Sequence, residues 1–236
     1  AWSLEEGLDR IPLFNDAGNN VAKSLQALVS ACKEHFGITP EYKSRFIDSG
    51  FYIFKQNDWK LIVDAGQPGP AYIPGHAHCD AMSFELFKTG KPVIVNCGTY
   101  AYQCKERSFF RSTAAHNTVM VNDTEQSQCW GAFRMAKRSK VNVVSVSEKS
   151  IVIELMDQRG QTVKRTIQLE KTLKVTDESG GNKLTAFVHP INDIDMTFDG
   201  NSETIGQQYA PEYGELVSLE AVRYEGNGKI SVEICI

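Results

Sequence analysis

A succession of short strand-like segments, starting near residue 46 and running to the end without alternating helices, constrains this chain most. Phe51-Tyr52-Ile53-Phe54 and Trp59–Val63 flank the turn residues Gln56-Asn57-Asp58, and Met82–Phe87 and Val93–Val95 flank Thr89-Gly90-Lys91-Pro92. Each pair reads as a hairpin, because Asn, Asp and Gly accept the backbone angles of tight β connections. Further strand-like runs are Asn117–Val121, Val141–Val146, Ile151–Leu155, Val163–Leu169, Leu173–Thr176, Leu184–Val188 and Met196–Phe198. Leu216–Tyr224 and Lys229–Ile236 close the chain around Gly226-Asn227-Gly228. Many short strands joined by hairpin turns make a mainly β fold, an antiparallel sandwich or barrel.

Residues 19–37 carry the one clear helix pattern. Val21, Leu25, Leu28, Cys32 and Phe36 recur at spacings of three and four and paint one apolar stripe. Asn19 or Asn20 can cap its start, and Gly37 with Pro40 beyond can end it. The stripe needs a partner, and no comparable helix lies nearby. It either docks on a sheet or is the last helix of a helical domain that lies outside this sequence. The opening Ala1-Trp2-Ser3-Leu4-Glu5-Glu6 has no initiator Met and no signal-peptide pattern, which reads as a processed protein or a fragment of a longer one.

At 236 residues the chain can bury a full core, and its apolar runs are far too short to span a bilayer. The net charge of −4 gives no general reason to expect nucleic acid. Between residues 105 and 140, however, seven bases face three acids. Such a strip attracts an anionic ligand, or is simply a solvated charged face. The six cysteines show no CxxC pairing, which argues against a zinc finger. Cys97 and Cys104 are the nearest pair for a disulfide, and buried free thiols are the plainer expectation.

Three of the five histidines gather in two segments, His76-Ala77-His78-Cys79-Asp80 and Thr113-Ala114-Ala115-His116-Asn117-Thr118. If 76–80 is extended, His76, His78 and Asp80 share one face. His78 and His116 are the candidate metal ligands, since zinc takes neutral imidazole and usually a carboxylate or thiolate beside it. Asp80 can be a third ligand or can orient an imidazole. Two hydrogen-bonded structural histidines would produce the same pattern. His76 is the candidate for proton transfer. Tyr100 and Tyr102 lie in the loop after Gly98-Thr99, where a phenol can reach a ligand or simply pack. Arg107 and Arg111 can fork onto a carboxylate or form ordinary surface ion pairs. Trp130, Phe133 and Arg134 can form a platform for a sugar ring or belong to the core. His35 and His189 are taken as structural.

The stretch His76-Ala77-His78-Cys79-Asp80-Ala81-Met82-Ser83-Phe84-Glu85-Leu86, then Gly90, then Val95-Asn96-Cys97-Gly98-Thr99-Tyr100, then Arg111-Ser112-Thr113-Ala114-Ala115-His116-Asn117-Thr118 resembles the C-terminal β domain of heparinase II/III-like polysaccharide lyases. Alginate and oligoalginate lyases of the same architecture are close kin. The resemblance runs from about Ser49 to Arg134, is fainter through Lys164–Pro190, and fades toward the C-terminus. Three blocks in order make it specific.

The resemblance implies a large antiparallel β-sandwich over residues 46–236, preceded at 1–45 by a helical segment and linker, the remnant of an α/α toroid. Substrate would lie between toroid and sandwich. It implies zinc at His78 and His116, with a third ligand at Asn96, where the family usually has Asp. An amide there removes a negative charge, so zinc is expected to be weak or lost. His76 maps to a cleft histidine, and Tyr102 is the choice for a catalytic tyrosine. Substrate-binding roles fall to Arg107, Arg111 and Arg134. The implied activity is β-elimination of a uronate-containing acidic polysaccharide in the periplasm or outside the cell, and this chain alone is expected to be inactive without its toroid. A non-catalytic carbohydrate-binding or structural module is the alternative. A cupin-like metal enzyme also uses an HxH strand, but the glycine-rich barrel repeat it would add is missing.

Overall fold

The computed structural model describes residues 2–236. The first sheet runs β1 (Arg45–Phe46), β2 (Phe51–Gln56), β3 (Trp59–Asp64), β4 (Phe84–Lys88) and β5 (Lys91–Ile94), in that order and antiparallel throughout. The expected hairpins are there. Thr89 and Gly90 both take positive φ, 49° and 81°, as a two-residue primed turn requires. After the short β6 (Val119–Val121), β7 (Gln128–Trp130) and β8 (Arg134–Ala136) form a separate two-stranded ribbon.

The larger sheet takes β9 (Lys140–Val146), β10 (Ser150–Met156), β11 (Thr162–Leu169), β12 (Thr172–Val188), β15 (Val217–Cys235) and β13 (Met196–Asp199) as successive neighbours. β14 (Asn201–Tyr209) also pairs with β15, and β6 with β12. Two expected breaks are absent. Leu173–Thr176 and Leu184–Val188 belong to one strand, and so do Leu216–Tyr224 and Lys229–Ile236. Gly226-Asn227-Gly228 lies inside β15, because β12 and β15 pair on both sides of a bulge between Glu178 and Lys183. The glycines there relieve a bulge instead of turning the chain. The β14 segment Asn201–Tyr209 is polar along most of its length and gave no strand signal.

The two sheets face each other over one apolar core. Tyr52, Leu61, Phe84 and Leu86 from the first meet Ile153, Val163, Ile167, Val175 and Ile234 from the second. Each such side chain contributes about 1.5–3 kcal/mol when fully buried. The arrangement is the antiparallel β-sandwich expected from the hairpin pattern.

Charged residues also point inward. β11 alternates Val163, Arg165, Ile167 and Leu169 toward the core, and its neighbour β12 places Asp177 directly opposite Arg165. Both are fully buried. Arg165 Nε and Nη2 donate to the two Asp177 carboxylate oxygens at 2.7 and 2.8 Å. Its third nitrogen, Nη1, donates to the carbonyls of Met82 at 3.0 Å and Asn117 at 2.8 Å. One guanidinium thus fastens the end of the His76–His78 loop and the residue after His116 to the large sheet.

The N-terminal stretch is strapped to the sandwich. After α1 (Trp2–Glu5), Leu13 packs with Val95 and Tyr209, and Phe14 with Ile62 and Phe87. The helix α2 spans Leu25–Phe36 and is shorter than the apolar pattern. Ser24 caps it, its oxygen accepting from the Ala27 N–H at 3.3 Å, and Gly37 ends it in the left-handed region. Asn19 is not the cap, since its side chain bridges the Ile11 N–H and the Pro211 carbonyl. No α2 residue is buried; Leu25 and Cys32 of the stripe are half-buried, and Val21, Leu28 and Phe36 are exposed. Among the described residues no helix is long and apolar enough to cross a membrane. All six cysteines are free thiols; Cys97 Sγ faces Gln207 and Cys104 Sγ faces the Ala101 carbonyl, so they do not pair.

Removing one partner from a sealed ion pair leaves the other charge buried. Arg165→Met should therefore lower the unfolding free energy by about 3–5 kcal/mol. Adding Asp177→Leu should recover only part, because the Met82 and Asn117 carbonyls still lack a donor. Urea unfolding of both variants measures this, and a single-variant loss below about 1 kcal/mol would contradict a sealed pair.

Candidate functional site

Residues 76–80 are not a strand. They form an irregular loop, and their side chains diverge: His76 is 67% exposed, whereas His78 and Asp80 are buried. The stretch leaves the β ladder because its backbone groups are taken elsewhere. The Cys79 N–H donates to the Arg111 carbonyl at 3.0 Å, and the His78 N–H to Asn15 Oδ1 at 3.1 Å. Asp80 does not join the histidines as a ligand. Its carboxylate accepts from the Asn15 N–H at 2.7 Å, and burial raises its pKa.

What gathers the site is Asp16, which sequence patterns did not single out. It sits in the strap before α2, with its side chain 5% exposed. Its Oδ2 meets His76 Nδ1 at 2.8 Å and its Oδ1 meets His78 Nε2 at 2.7 Å. Arg107, from the short helix α3 (Arg107–Phe110), forks onto both oxygens. Thr99 Oγ1 donates to Oδ1 at 3.1 Å. Burial works to raise the Asp16 carboxyl, but the hydrogen bonds from His78 and Arg107 outweigh it and hold it well below the usual carboxylate range. Asp16 is an anion at neutral pH.

Proton positions then follow. Burial pushes His78 down to about 4 and His116 to about 3, so both rings are neutral at neutral pH. An ionised carboxylate only accepts, which puts the His78 proton on Nε2. His116 Nδ1 lies 2.8 Å from the Ser112 carbonyl, which puts its proton there. The two remaining nitrogens, His78 Nδ1 and His116 Nε2, face each other at 3.3 Å with both lone pairs unprotonated. Two nitrogens bound to one tetrahedral zinc at ~2.05 Å lie about 3.4 Å apart. Each ring also has the acceptor on its far nitrogen that metal-binding histidines have.

These two imidazoles fit a zinc ion; the third position does not complete the set. Asn96 is buried, and its Oδ1 accepts from the Asn117 N–H at 3.0 Å while its Nδ2 is directed at Ser83. Among the described residues no group of three His, Cys, Asp or Glu side chains is arranged to hold a metal. His189 is fully buried, with one ring nitrogen 2.9 Å from Asn117 Oδ1 and the other near the Ala114 carbonyl and Gln207.

Above Asp16 lies an aromatic cluster. His76 stands edge-on to Tyr102 and Phe133, with ring centres 5.7 and 5.5 Å away, and Tyr213 packs on Tyr102. Arg107 lies over Tyr102, its guanidinium carbon 5.2 Å from the ring centre. With Nδ1 bound to Asp16, the His76 ring presents Nε2 outward. Tyr102 is shifted upward by burial and by Asp16, so its hydroxyl keeps its proton at neutral pH, as an acid requires.

The two inner arginines, read from the sequence as substrate-binding, are buried and bound to protein groups. Arg107 is 2% exposed and bound to Asp16 and the Ala132 carbonyl. Arg111 is fully buried, and its fork grips the Ala77, Gly131 and Arg134 carbonyls. They serve the loops because buried irregular backbone needs donors that a sheet would otherwise provide. Arg134, on β8 beside Phe133, is exposed, as are Trp130 and Phe133.

The antiparallel sandwich, with histidines, a carboxylate and aromatic rings gathered in its irregular loops, has counterparts among known proteins. The chain belongs to the heparinase II/III-like, C-terminal family, whose model matches residues 38–227. It is 34% identical over 103 residues to a heparin-sulfate lyase of Bacteroides stercoris, a match covering 39% of this chain and 15% of that protein. Among solved structures, a heparinase III superposes with a TM-score of 0.78 at 16% identity, covering 99% of this chain and 44% of that one. The heparan sulfate lyase HepC from Pedobacter heparinus gives 0.70 at 15%, covering 98% and 45%. The chain thus spans less than half the length of these structures.

Two outcomes follow from the buried groups. An exposed imidazole takes its proton near 6.5, whereas His78, His116 and His189 fold with values of about 4, 3 and 4. At these rings the unfolded chain binds protons first, so their contribution is full above about 6.5 and is lost as pH drops toward 4, whereas buried Glu85, raised to about 7, pulls the other way. Asp16 has a depressed folded value, so its contribution persists above the ordinary carboxylate range and is lost only below it. NMR titration of the three rings in the folded protein tests this; protonation of all three near ~6.5 would contradict buried neutral imidazoles. Asp16→Ala should destabilise by about 3 kcal/mol by stranding Arg107, against about 1 kcal/mol for Thr99→Val.

Proposed function

We propose that this domain forms one wall of the active cleft of a lyase that breaks uronate-containing acidic polysaccharide by β-elimination. The base removes the proton at C5, next to the uronate carboxylate, the C4–C5 double bond forms, and the bridging oxygen leaves C4 with a proton from an acid. The observation that carries this is His76, anchored by Asp16 with Nε2 directed outward beside the protonated Tyr102. These are a base and an acid on one surface of a heparinase II/III-like, C-terminal domain. Glycosaminoglycan of the heparin and heparan sulfate type is the first substrate class to test, with alginate beside it.

The C5 proton is acidic enough only when the carboxylate charge is neutralised. Arg107 and Arg111 are held inside, which leaves Lys105 and Arg134 as exposed cations on these loops. Further donors must come from a helical domain, and the bare stripe of Val21, Leu28 and Phe36 is where α2 would pack against one. The sandwich by itself should therefore lack turnover. A periplasmic or secreted location fits a polymer substrate. Zinc would be held by His78 Nδ1 and His116 Nε2, where it would fix both loops and add positive charge. With an amide at Asn96 for a third donor, its hold is weak.

The test uses the 236 residues alone and the longer protein carrying the helical domain, each given heparin, heparan sulfate and alginate while the absorbance of the unsaturated product is followed. Only the longer protein should turn over, and His76→Ala in it should lower kcat about 10²–10⁴-fold. Robust turnover by the sandwich alone would overturn the shared-cleft assignment. Binding without elimination by the longer protein would identify a carbohydrate-binding module instead. Elemental analysis should find less than one zinc per chain, and a stoichiometric content would refute the weak-site assignment.

A further inference from the structure

Cys79 and Cys129 come from segments 50 residues apart, yet their sulfurs lie 3.7 Å from each other. Cys79 sits between His78 and Asp80 in the site loop and is 1% exposed. Cys129 is the middle residue of β7 and is half-buried. The β7–β8 ribbon has no ladder to either large sheet. It is held by polar staples, Arg111 to the Gly131 and Arg134 carbonyls and Arg107 to the Ala132 carbonyl. Its turn carries Phe133, which walls His76.

We propose that Cys79 and Cys129 form a reversible disulfide that locks the β7–β8 ribbon onto the histidine loop. A disulfide needs a sulfur separation of about 2.05 Å, so side-chain rotation must close roughly 1.7 Å. The reaction is thiol–disulfide exchange with a small-molecule or protein disulfide as oxidant. The more accessible Cys129, as thiolate, attacks the oxidant's disulfide, forms a mixed disulfide and releases one thiol. Cys79, as thiolate, then attacks the Cys129 sulfur. That step forms the Cys79–Cys129 bond and releases the second thiol. Two protein thiols lose two electrons and two protons, and the oxidant's disulfide takes both electrons to become two thiols. The linkage crosses between two loops that otherwise meet through carbonyl contacts, so it fixes the wall against which His76 rests. The bond stands on the sulfur geometry, independent of any lyase activity.

The experiment starts from protein purified under reducing conditions and exposed to oxidised glutathione, followed by alkylation of remaining thiols and peptide mapping. Two of the six thiols should disappear as one linked Cys79–Cys129 peptide, and dithiothreitol should restore both. Cys129→Ser should abolish the link, and Cys79→Ala should leave Cys129 as a lasting glutathione adduct. Hydrogen exchange across residues 128–136 should slow several-fold in the oxidised protein. A persistent glutathione adduct on Cys129 in the unaltered protein, or preferential linkage of another pair, would overturn the proposal. So would thiols that stay reduced, or exchange unchanged by oxidation.

Discussion

Buried, irregular backbone must find hydrogen-bond partners, and here arginines supply them. The loops around His76–Met82 and Arg111–Thr118, and the β7–β8 ribbon, lie between or beside the two large sheets without joining their ladders. Arg165 reaches from the large sheet to the carbonyls of Met82 and Asn117, and Arg111 joins the Ala77 carbonyl to those of Gly131 and Arg134. A planar fork with five donors is suited to this, because one side chain can serve several carbonyls at fixed angles. Asp177 makes the Arg165 fork tolerable in an aliphatic core. The loops that carry the histidines are thus as fixed as the strands they leave.

Asp16 sets the electrostatics of what those loops hold. One carboxylate faces two imidazoles, a guanidinium and a hydroxyl, so its charge determines which ring nitrogens carry protons. It leaves Nε2 of His76 outward and Nδ1 of His78 bare, facing the His116 Nε2 that the Ser112 carbonyl leaves free. The segment that brings it in lies before α2, where Leu13 and Phe14 anchor the strap in the sandwich. Any helical domain attached through α2 would therefore be coupled to the site through a short, well-fastened stretch of chain. Arg107 and Arg111 are committed inward, to Asp16 and to loop carbonyls.

Legibility in the sequence followed the range of the interaction. The hairpins β2–β3 and β4–β5 were readable because a local alternation meets a local turn. The three blocks carrying His76, His78, Asn96 and His116 were readable as a set. The continuity of β12 and β15 was not, because glycines that mark a turn in one chain mark a bulge when a neighbouring strand runs on beside them. β14 was silent because it hangs on β15 by backbone bonds with few buried side chains. Arg165 occupies an inward position of an alternating strand, and only its opposite number Asp177, known once the register is known, explains it. The assumed extension of 76–80 failed because its N–H groups go to Arg111 and Asn15.

The amino-acid order alone determined the class of fold, through period-two patterning and turn residues, and the chemistry available, through the histidines and their neighbours. Folding in three dimensions decided which groups work together. Asp16 lies about sixty residues from the histidines it binds, and Cys79 lies 50 residues from Cys129. Arg107 and Arg111 look like surface cations until the loops close over them. Side-chain partners across such separations are chosen by packing and by the need to satisfy buried polar groups, and neither leaves a mark on local sequence.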